Sequence, residues 1–217
     1  MTVRNRGALA ALAAGVAALT VAALVACGSQ PAGNVGAEKA STLASTPPAT
    51  ASGPSVPVTA GELPADAAII PPVRLVIPGI DVTATVNAVG INERTNEFEV
   101  PPSVDQIGWY RHGPGLEADA GSVVIAGHVD SAKQGKGAFF RLRELNQGDT
   151  LTATGSDGEA RRYRVVAREE YAKTKIPLDR YFARDGKPRL TLITCGGPFD
   201  AKARKYRDNI VVTAVPA

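Results

Sequence analysis

The sequence has few of the side chains that build metal sites and covalent catalytic sites. Its 217 residues include only two histidines, His112 and His128, and two cysteines, Cys27 and Cys195. No carboxylate stands at ligand spacing to these residues, and two histidines with one free cysteine do not complete a zinc site. We therefore expect neither a metal ion nor another cofactor.

A dense basic tract is also absent. The formal net charge is +3, and Arg4 and Arg6 at the N-terminus contribute two of these charges. The compact basic cluster of Arg161, Arg162 and Arg164 lies in an alternating, strand-like run, where such charges usually form a solvated face. Nucleic acid is therefore not an expected partner.

The N-terminal part of the chain lacks aromatic side chains. All five phenylalanines, all five tyrosines and the one tryptophan lie at or after Phe98. Large aromatic side chains concentrate where a protein has a core. Residues 28–70 are rich in Ala, Pro, Ser, Thr and Gly, and such a composition buries too little apolar surface to offset the entropy of ordering. We predict a flexible linker over 28–70 and one folded domain over 71–217.

The first 27 residues have the features of an export signal. Arg4 and Arg6 precede an uncharged run, Gly7–Ala26, that is rich in Ala, Leu and Val. The run ends in Leu24-Val25-Ala26-Cys27, which resembles a bacterial lipobox, where cleavage precedes a cysteine that carries a diacylglycerol. An uncleaved membrane anchor is the alternative, because about 20 apolar residues can span a bilayer. Both interpretations place the rest of the chain outside the cytoplasm and tethered to the membrane.

From residue 71 onward, short apolar runs alternate with Gly, Pro, Asn and Asp. Alternating or continuous apolar runs of this length predict β-strands. The predicted strands are 73–77, 81–88, 121–126, 150–153, 160–168, 189–195 and 210–215. Helical signals are limited to one or two turns in Phe139–Leu145 and Pro177–Phe182. This series predicts a mainly β fold that forms a closed or nearly closed barrel.

Two candidates for nucleophilic chemistry lie at the ends of predicted strands. His128 follows the run Val123–Gly127, and Cys195 ends the run that begins at Leu190. A cysteine attacks as its thiolate, which a neighbouring imidazolium stabilises, so Cys195 and His128 form a candidate pair. The residues alone also fit an inert core cysteine with a structural histidine, or a disulfide between Cys195 and Cys27.

Other hydrolase patterns fit less well. Ser131 lies near His128, but the sequence has no Gly-x-Ser-x-Gly nucleophile elbow. Papain-like wall peptidases place the cysteine before the histidine, which is the reverse of the order seen here. An L,D-transpeptidase would need a Ser-His-Gly-Cys-like segment, and none is present.

Two segments of the chain resemble the sortase family. Ile125-Ala126-Gly127-His128-Val129-Asp130 is similar to the family's histidine segment, and Leu190-Thr191-Leu192-Ile193-Thr194-Cys195 is similar to its Thr-Leu-x-Thr-Cys segment. The resemblance covers about residues 72–217. The endings Thr194–Asp200 and Tyr206–Val212 look most like class F sortases of actinobacteria.

The resemblance implies a sortase-type closed β-barrel of about eight strands with a few short helices, and a Cys-His-Arg site. Cys195 would be the nucleophile and His128 the general acid and base. Arg207 would be the arginine that stabilises the developing oxyanion, with Arg204 as a second candidate. Thr194 is expected to contact the substrate.

The activity implied by the resemblance is transpeptidation. The thiolate attacks a backbone carbonyl in the C-terminal sorting motif of a secreted protein, and an amine of a peptidoglycan precursor resolves the thioacyl enzyme. We expect a monomer at the extracytoplasmic face of the membrane. A thiol hydrolase on the same site and a non-catalytic, wall-binding lipoprotein are the alternatives.

Overall fold

The computed structural model describes residues 33–45, 69–94 and 97–217. The predicted export signal and its Cys27 lie outside these ranges. Within them, no helix is long and apolar enough to cross a membrane.

Eight strands form a closed barrel. These strands are β1 (Pro72–Ile77), β2 (Val82–Val89), β5 (Ile107–Tyr110), β6 (Ser122–Gly127), β9 (Thr150–Gly155), β10 (Ala160–Ala172), β11 (Arg189–Asp200) and β12 (Lys205–Pro216). Their order around the barrel is β1-β2-β5-β6-β11-β12-β10-β9. Most neighbours are antiparallel, but β2 pairs with β5, and β6 with β11, in parallel. The prediction of a mainly β, closed barrel of about eight strands is confirmed.

The remaining elements are short. Two small sheets pair β3 (Ile91–Asn92) with β4 (Glu97–Phe98), and β7 (Asp130–Ser131) with β8 (Gly135–Lys136). The helical elements are α1 (Ala37–Ala44), α2 (Leu178–Tyr181) and two 3-10 turns, Pro78–Ile80 and Leu142–Glu144. The second 3-10 turn and α2 lie within the two segments that the sequence predicts to be helical.

The barrel interior is filled by apolar side chains from alternate strand positions. In β12, Ile210, Val212 and Ala214 point into the core and are almost fully buried. Each fully buried aliphatic side chain contributes about 1.5–3 kcal/mol. Every residue of β6 is buried, which explains why this strand is a continuous apolar run and not an alternating one. At its end, a Cβ on Gly127 would lie 2.7 Å from the ring of Phe139, so only glycine fits there.

Residues 33–45 lie on the barrel although they belong to the predicted linker. Val35 and Arg168 exchange two backbone hydrogen bonds of 2.9 Å, and Asn34 Oδ1 accepts a third from the N–H of Glu170 at 2.8 Å. Helix α1 follows and contacts β10 and α2. The segment binds because β10 is longer than β9 and offers backbone groups beyond the end of their pairing.

Candidate active site

Cys195 and His128 lie just beyond the parallel pairing of β11 with β6. His128 directly follows β6, whereas β11 continues past Cys195 to Asp200 and so extends further than the sequence predicts. Ile193 of β11 is paired with Ala126 of β6. One residue further, the buried hydroxyl of Thr194 donates a 2.8 Å hydrogen bond to the carbonyl of Gly127. This bond joins the residue before Cys195 to the residue before His128. The structure thus brings the two predicted segments together at one end of the barrel.

The ring of His128 is oriented by a backbone carbonyl. Its Nε2 lies 3.0 Å from the carbonyl oxygen of Pro101. A carbonyl can only accept a hydrogen bond, so Nε2 carries the proton, and in the neutral imidazole Nδ1 is the nitrogen that can accept one. The backbone is also held, because the carbonyl of His128 accepts from the N–H of Phe139 at 3.1 Å. The ring of His128 is thus held in place, with Nδ1 as its hydrogen-bond acceptor.

Cys195 is half-buried and borders two clefts. One cleft of about 390 Å³ is mainly apolar, and its walls include Phe98, Val100, Ile176, Leu178, Phe182 and Ile193. The other cleft, of about 260 Å³, has Arg143, Glu144 and Tyr206 among its lining residues and is called the polar cleft. Thr194 lines both clefts. A reactive sulfur here would be accessible from an apolar side and from a polar side.

A lysine that the sequence analysis did not single out lies beside the sulfur. Lys173 directly follows β10, and its Nζ is 3.4 Å from Cys195 Sγ. Its backbone N–H donates a 3.0 Å hydrogen bond to the carbonyl of Arg207, which fixes the lysine against β12. No local pattern distinguishes Lys173 from Lys175 two residues later. Lys173 reaches Cys195 because β10 pairs with β12 and β12 pairs with β11.

Arg207 lies on β12 near the cysteine strand but is paired elsewhere. Asn209 stands opposite Cys195 in the ladder, and Arg207, two residues earlier, shares the face of Asn209. The guanidinium of Arg207 is 3.5 Å from a carboxylate oxygen of Asp200, and its side chain is 66% exposed. The second candidate, Arg204, is exposed and has a left-handed backbone with φ 52° in the turn between β11 and β12.

Residues 75–217 match the family model of the sortase domain. The chain belongs to the sortase family. No curated protein sequence matches it. Family membership and the barrel imply cell-wall transpeptidase activity, and sortases act at the cell surface on sorting-motif substrates and wall amines.

Several solved sortases share the fold. Sortase C-1 from Actinomyces oris is 21% identical, with 66% of this chain and 72% of that chain covered and a TM-score of 0.52. A lid mutant of sortase A from Corynebacterium diphtheriae is 21% identical, with 70% and 73% covered and a TM-score of 0.51. Sortase C2 of Pilus Island 1 from Group B Streptococcus is 18% identical, with 66% and 72% covered and a TM-score of 0.50.

In this sortase, a tyrosine and an aspartate join two strands at the polar cleft. The phenol of Tyr206 donates a 2.6 Å hydrogen bond to Asp130, two residues after His128. This bond, together with burial and the nearby charges of Asp130 and Cys195, raises the pKa of Tyr206 to about 12. Tyr206 belongs to the segment that carries the resemblance, but the sequence alone does not reveal its partner.

The two glycines after the sortase cysteine are required by the backbone. Gly197 has a left-handed φ of 69°, and a Cβ there would lie 1.9 Å from a carboxylate oxygen of Asp208. A Cβ on Gly196 would lie 2.6 Å from the side chain of Ile210. The ladder between β11 and β12 shifts register just after Gly196. The glycines therefore let the chain after Cys195 pass close to Ile210 and Asp208, where a side chain would not fit.

Within residues 33–45, 69–94 and 97–217, no three His, Cys, Asp or Glu side chains cluster at ligand distances. Cys195 is the candidate nucleophile of the site, and His128 is the candidate base.

Proposed function

We propose that this sortase is a cysteine transpeptidase. It would cleave the C-terminal sorting motif of secreted proteins and transfer the new carboxyl end to an amine of a peptidoglycan precursor. The observation that carries the proposal is the Thr194–Gly127 hydrogen bond, which holds the residue before Cys195 against the residue before His128. The segments Thr194–Asp200 and Tyr206–Val212 support assignment to the class F type.

The reaction follows from the two side chains. His128 takes the thiol proton at Nδ1, and the sulfur of Cys195 attacks the carbonyl carbon of the motif. The C–N bond then breaks as the protonated imidazole returns the proton to the leaving amine, which leaves a thioester on Cys195. An acceptor amine attacks the thioester, loses a proton to His128 and forms the new amide, and Cys195 is released.

Arg207 is proposed to stabilise the oxyanion. It lies on the same strand face as Asn209, opposite Cys195, and its exposed side chain can leave the contact with Asp200 when substrate binds. Thr194 is proposed to contact the substrate through the surface that it contributes to both clefts.

The two clefts suit the two substrates. Apolar walls that include Phe98 and Phe182 suit the side chains of a sorting motif. The carboxylate of Glu144 in the polar cleft is paired with the guanidinium of Arg141 at 2.9 Å, and the ammonium form of an acceptor amine would share this carboxylate. Cys195 lines both clefts, as the two half-reactions require.

The proposal includes a tether. Cys27 would carry a lipid, or Gly7–Ala26 would remain as an anchor, and either would hold a monomeric catalytic domain at the extracytoplasmic face. Labelling cells with a fatty-acid probe distinguishes the two: a label lost in Cys27→Ser indicates the lipid, and a membrane-bound protein that never acquires label indicates the anchor.

Mass spectrometry of the protein after incubation with a panel of sorting-motif peptides tests the reaction. We expect a mass increase on Cys195 that is absent in Cys195→Ala. Adding an amine should convert the adduct into a ligated peptide. Identical cleavage products with and without the amine would favour a thiol hydrolase. The absence of an adduct with every peptide, together with no reaction of Cys195 with a thiol probe, would favour the non-catalytic, wall-binding lipoprotein.

A further inference from the structure

The position of Lys173 assigns it a role in the site that neither the family resemblance nor the sequence pattern provides. Its ammonium nitrogen is 3.4 Å from the sulfur of Cys195, which is hydrogen-bond distance for a nitrogen and a sulfur. The ammonium therefore contacts the reacting atom itself.

The backbone around Lys173 holds the ammonium in place. The N–H of Lys173 donates to the carbonyl of Arg207 at 3.0 Å, immediately after the β10–β12 ladder ends with Ala172 opposite Asp208. From there the Lys173 side chain passes Asn209 and ends at Cys195. Cys195 is the partner of Asn209 in the ladder between β11 and β12. Lys173 is half-buried, so water screens its charge less than it would on an open surface.

Arg207, the arginine that the resemblance assigns to the site, is placed differently. Arg207 is 66% exposed and lies 3.5 Å from the carboxylate of Asp200. Its charge is therefore largely screened and is already balanced by an anion. The cation at the sulfur is therefore Lys173 and not Arg207.

Other titratable groups surround the sulfur on the elements packed against it. They are His128 after β6, Tyr206 and Asp208 on β12, Arg143 and Glu144 in the polar cleft, and Glu97 at the apolar cleft. Among them, His128 contacts Pro101, Tyr206 contacts Asp130, and Glu144 is paired with Arg141. The polar side-chain contact that the structure gives for the Cys195 sulfur is the Lys173 ammonium.

We infer that Lys173 holds the Cys195 thiolate in the free enzyme and so prepares the nucleophile before substrate binds. The inference rests on the proposed function, since it takes Cys195 as the nucleophile. A cation beside a thiol favours the thiolate, which is the form that attacks. Lys173 keeps its proton throughout. The thiol proton goes to His128, the S–C bond forms as the C–N bond breaks, and the leaving amine receives the proton from His128.

Alkylation of the Cys195 thiol by iodoacetamide tests the inference without a sorting-motif substrate. The rate is measured as a function of pH for the wild-type chain, Lys173→Met and Lys173→Arg. Lys175→Met is the matched control, because Lys175 is an exposed lysine two residues along the same loop. Circular dichroism and the thermal midpoint establish that each variant is folded.

We expect Lys173→Met to move the alkylation profile toward higher pH and to slow the reaction about tenfold on the acidic side of the profile. Lys173→Arg should stay near the wild type because it keeps the charge, and Lys175→Met should match the wild type. Arg207→Met is expected to slow transpeptidation while leaving alkylation of the free thiol close to that of the wild type.

The outcomes separate this inference from the proposed function. A wild-type thiol that does not alkylate at any pH, and that acquires no peptide adduct, would contradict the proposed function itself. A reactive wild-type thiol with an unchanged profile in Lys173→Met would overturn the role of Lys173 alone. Alkylation as slow in Lys173→Arg as in Lys173→Met would also overturn the role of Lys173. So would an acyl group left on Lys173 after peptide incubation, since an acylated lysine carries no charge.

Discussion

The phenol of Tyr206 and the carboxylate of Asp130 are joined by a 2.6 Å hydrogen bond beside the polar cleft. The bond ties β12, which carries Arg207, to β7, which begins two residues after His128. Two chain segments around the candidate site are therefore connected by one contact between side chains. Because the phenol donates to a carboxylate, the pair is stable only while Tyr206 keeps its proton.

Replacing Asp130 should change the titration of Tyr206. In Asp130→Asn the accepting carboxylate is lost, so we expect the pKa of Tyr206 to fall from about 12 toward the ordinary value of 10.0. Ultraviolet absorbance of tyrosinate as a function of pH measures this change, and Tyr206→Phe identifies which signal belongs to Tyr206. A Tyr206 signal unmoved in Asp130→Asn would show that the bond does not set this pKa.

The same shift predicts a pH dependence of stability. The pKa of Tyr206 is higher in the folded chain than in the unfolded chain, so its contribution is complete below about pH 10 and is lost as the pH rises through about 12. Urea denaturation across this window should show a steeper loss of stability for the wild type than for Tyr206→Phe. Parallel curves for the two proteins would contradict the prediction.

Replacing His128 should stop acylation without unfolding the barrel. His128→Asn retains an amide N–H that can donate to the carbonyl of Pro101 but has no base, and general acid–base catalysis contributes a factor of about 10²–10⁴. The time course of Cys195 acylation by mass spectrometry measures the loss, and circular dichroism measures the fold. His112→Asn is the control, since His112 is exposed and contacts Arg111 and Tyr110. Equal slowing by both variants would contradict a specific role for His128.

Thr194 can be tested as a support or as a substrate contact. Its buried hydroxyl donates to Gly127, so Thr194→Val should lower the free energy of unfolding by about 0.5–1.5 kcal/mol, and Thr194→Ser should lower it less. Urea denaturation gives both values. If Thr194→Val instead leaves stability unchanged and raises only the KM for the peptide, the residue acts through substrate contact alone.

A buried ion pair supports the wall of the apolar cleft. The carboxylate of Glu169, whose side chain is 1% exposed, lies 2.6 Å from Arg180 and accepts hydrogen bonds from Tyr171 and Tyr181 at 2.6 and 2.7 Å. Arg180→Met would leave this carboxylate buried without its cation, so we expect a loss of about 3–5 kcal/mol in the free energy of unfolding.

Urea denaturation measures this loss, and the double variant Glu169→Gln with Arg180→Met should recover part of it. A loss in Arg180→Met as small as that of an exposed salt bridge would show that the two tyrosines alone hold the carboxylate of Glu169.

The sequence predicts most of the barrel because its strands carry strong local signals. Leu190–Cys195 and Val123–Gly127 are apolar runs that end in glycine or in the candidate residues themselves. Strand β5 was not predicted, because Ile107–Tyr110 is four residues long and contains a glycine. Helix α1 was not predicted either, since its alanines resemble the rest of the linker and its place depends on a distant strand.

The same distinction applies to the candidate site. Cys195 and His128 can be predicted as candidates from the sequence because Cys195 ends one predicted strand and His128 follows another. Lys173 cannot, because it reaches the sulfur only through the strand order β11-β12-β10, and this order is set by pairings between distant parts of the chain. The pairing of Arg207 with Asp200 is likewise a consequence of how the turn between β11 and β12 folds.

The N-terminal segment on β10 also has a mechanical consequence. A pull on the chain ahead of Gly33 is resisted first by the two Val35–Arg168 hydrogen bonds and by α1, well before it reaches β1 of the barrel. The carbonyl of Leu43 accepts a hydrogen bond from the backbone N–H of Lys187. Lys187 lies in the connection between β10 and β11, which also contains α2 and the residues Leu178 and Phe182 that line the apolar cleft. A force large enough to peel α1 away would therefore loosen the wall of this cleft while the strands that hold Cys195 and His128 stayed closed.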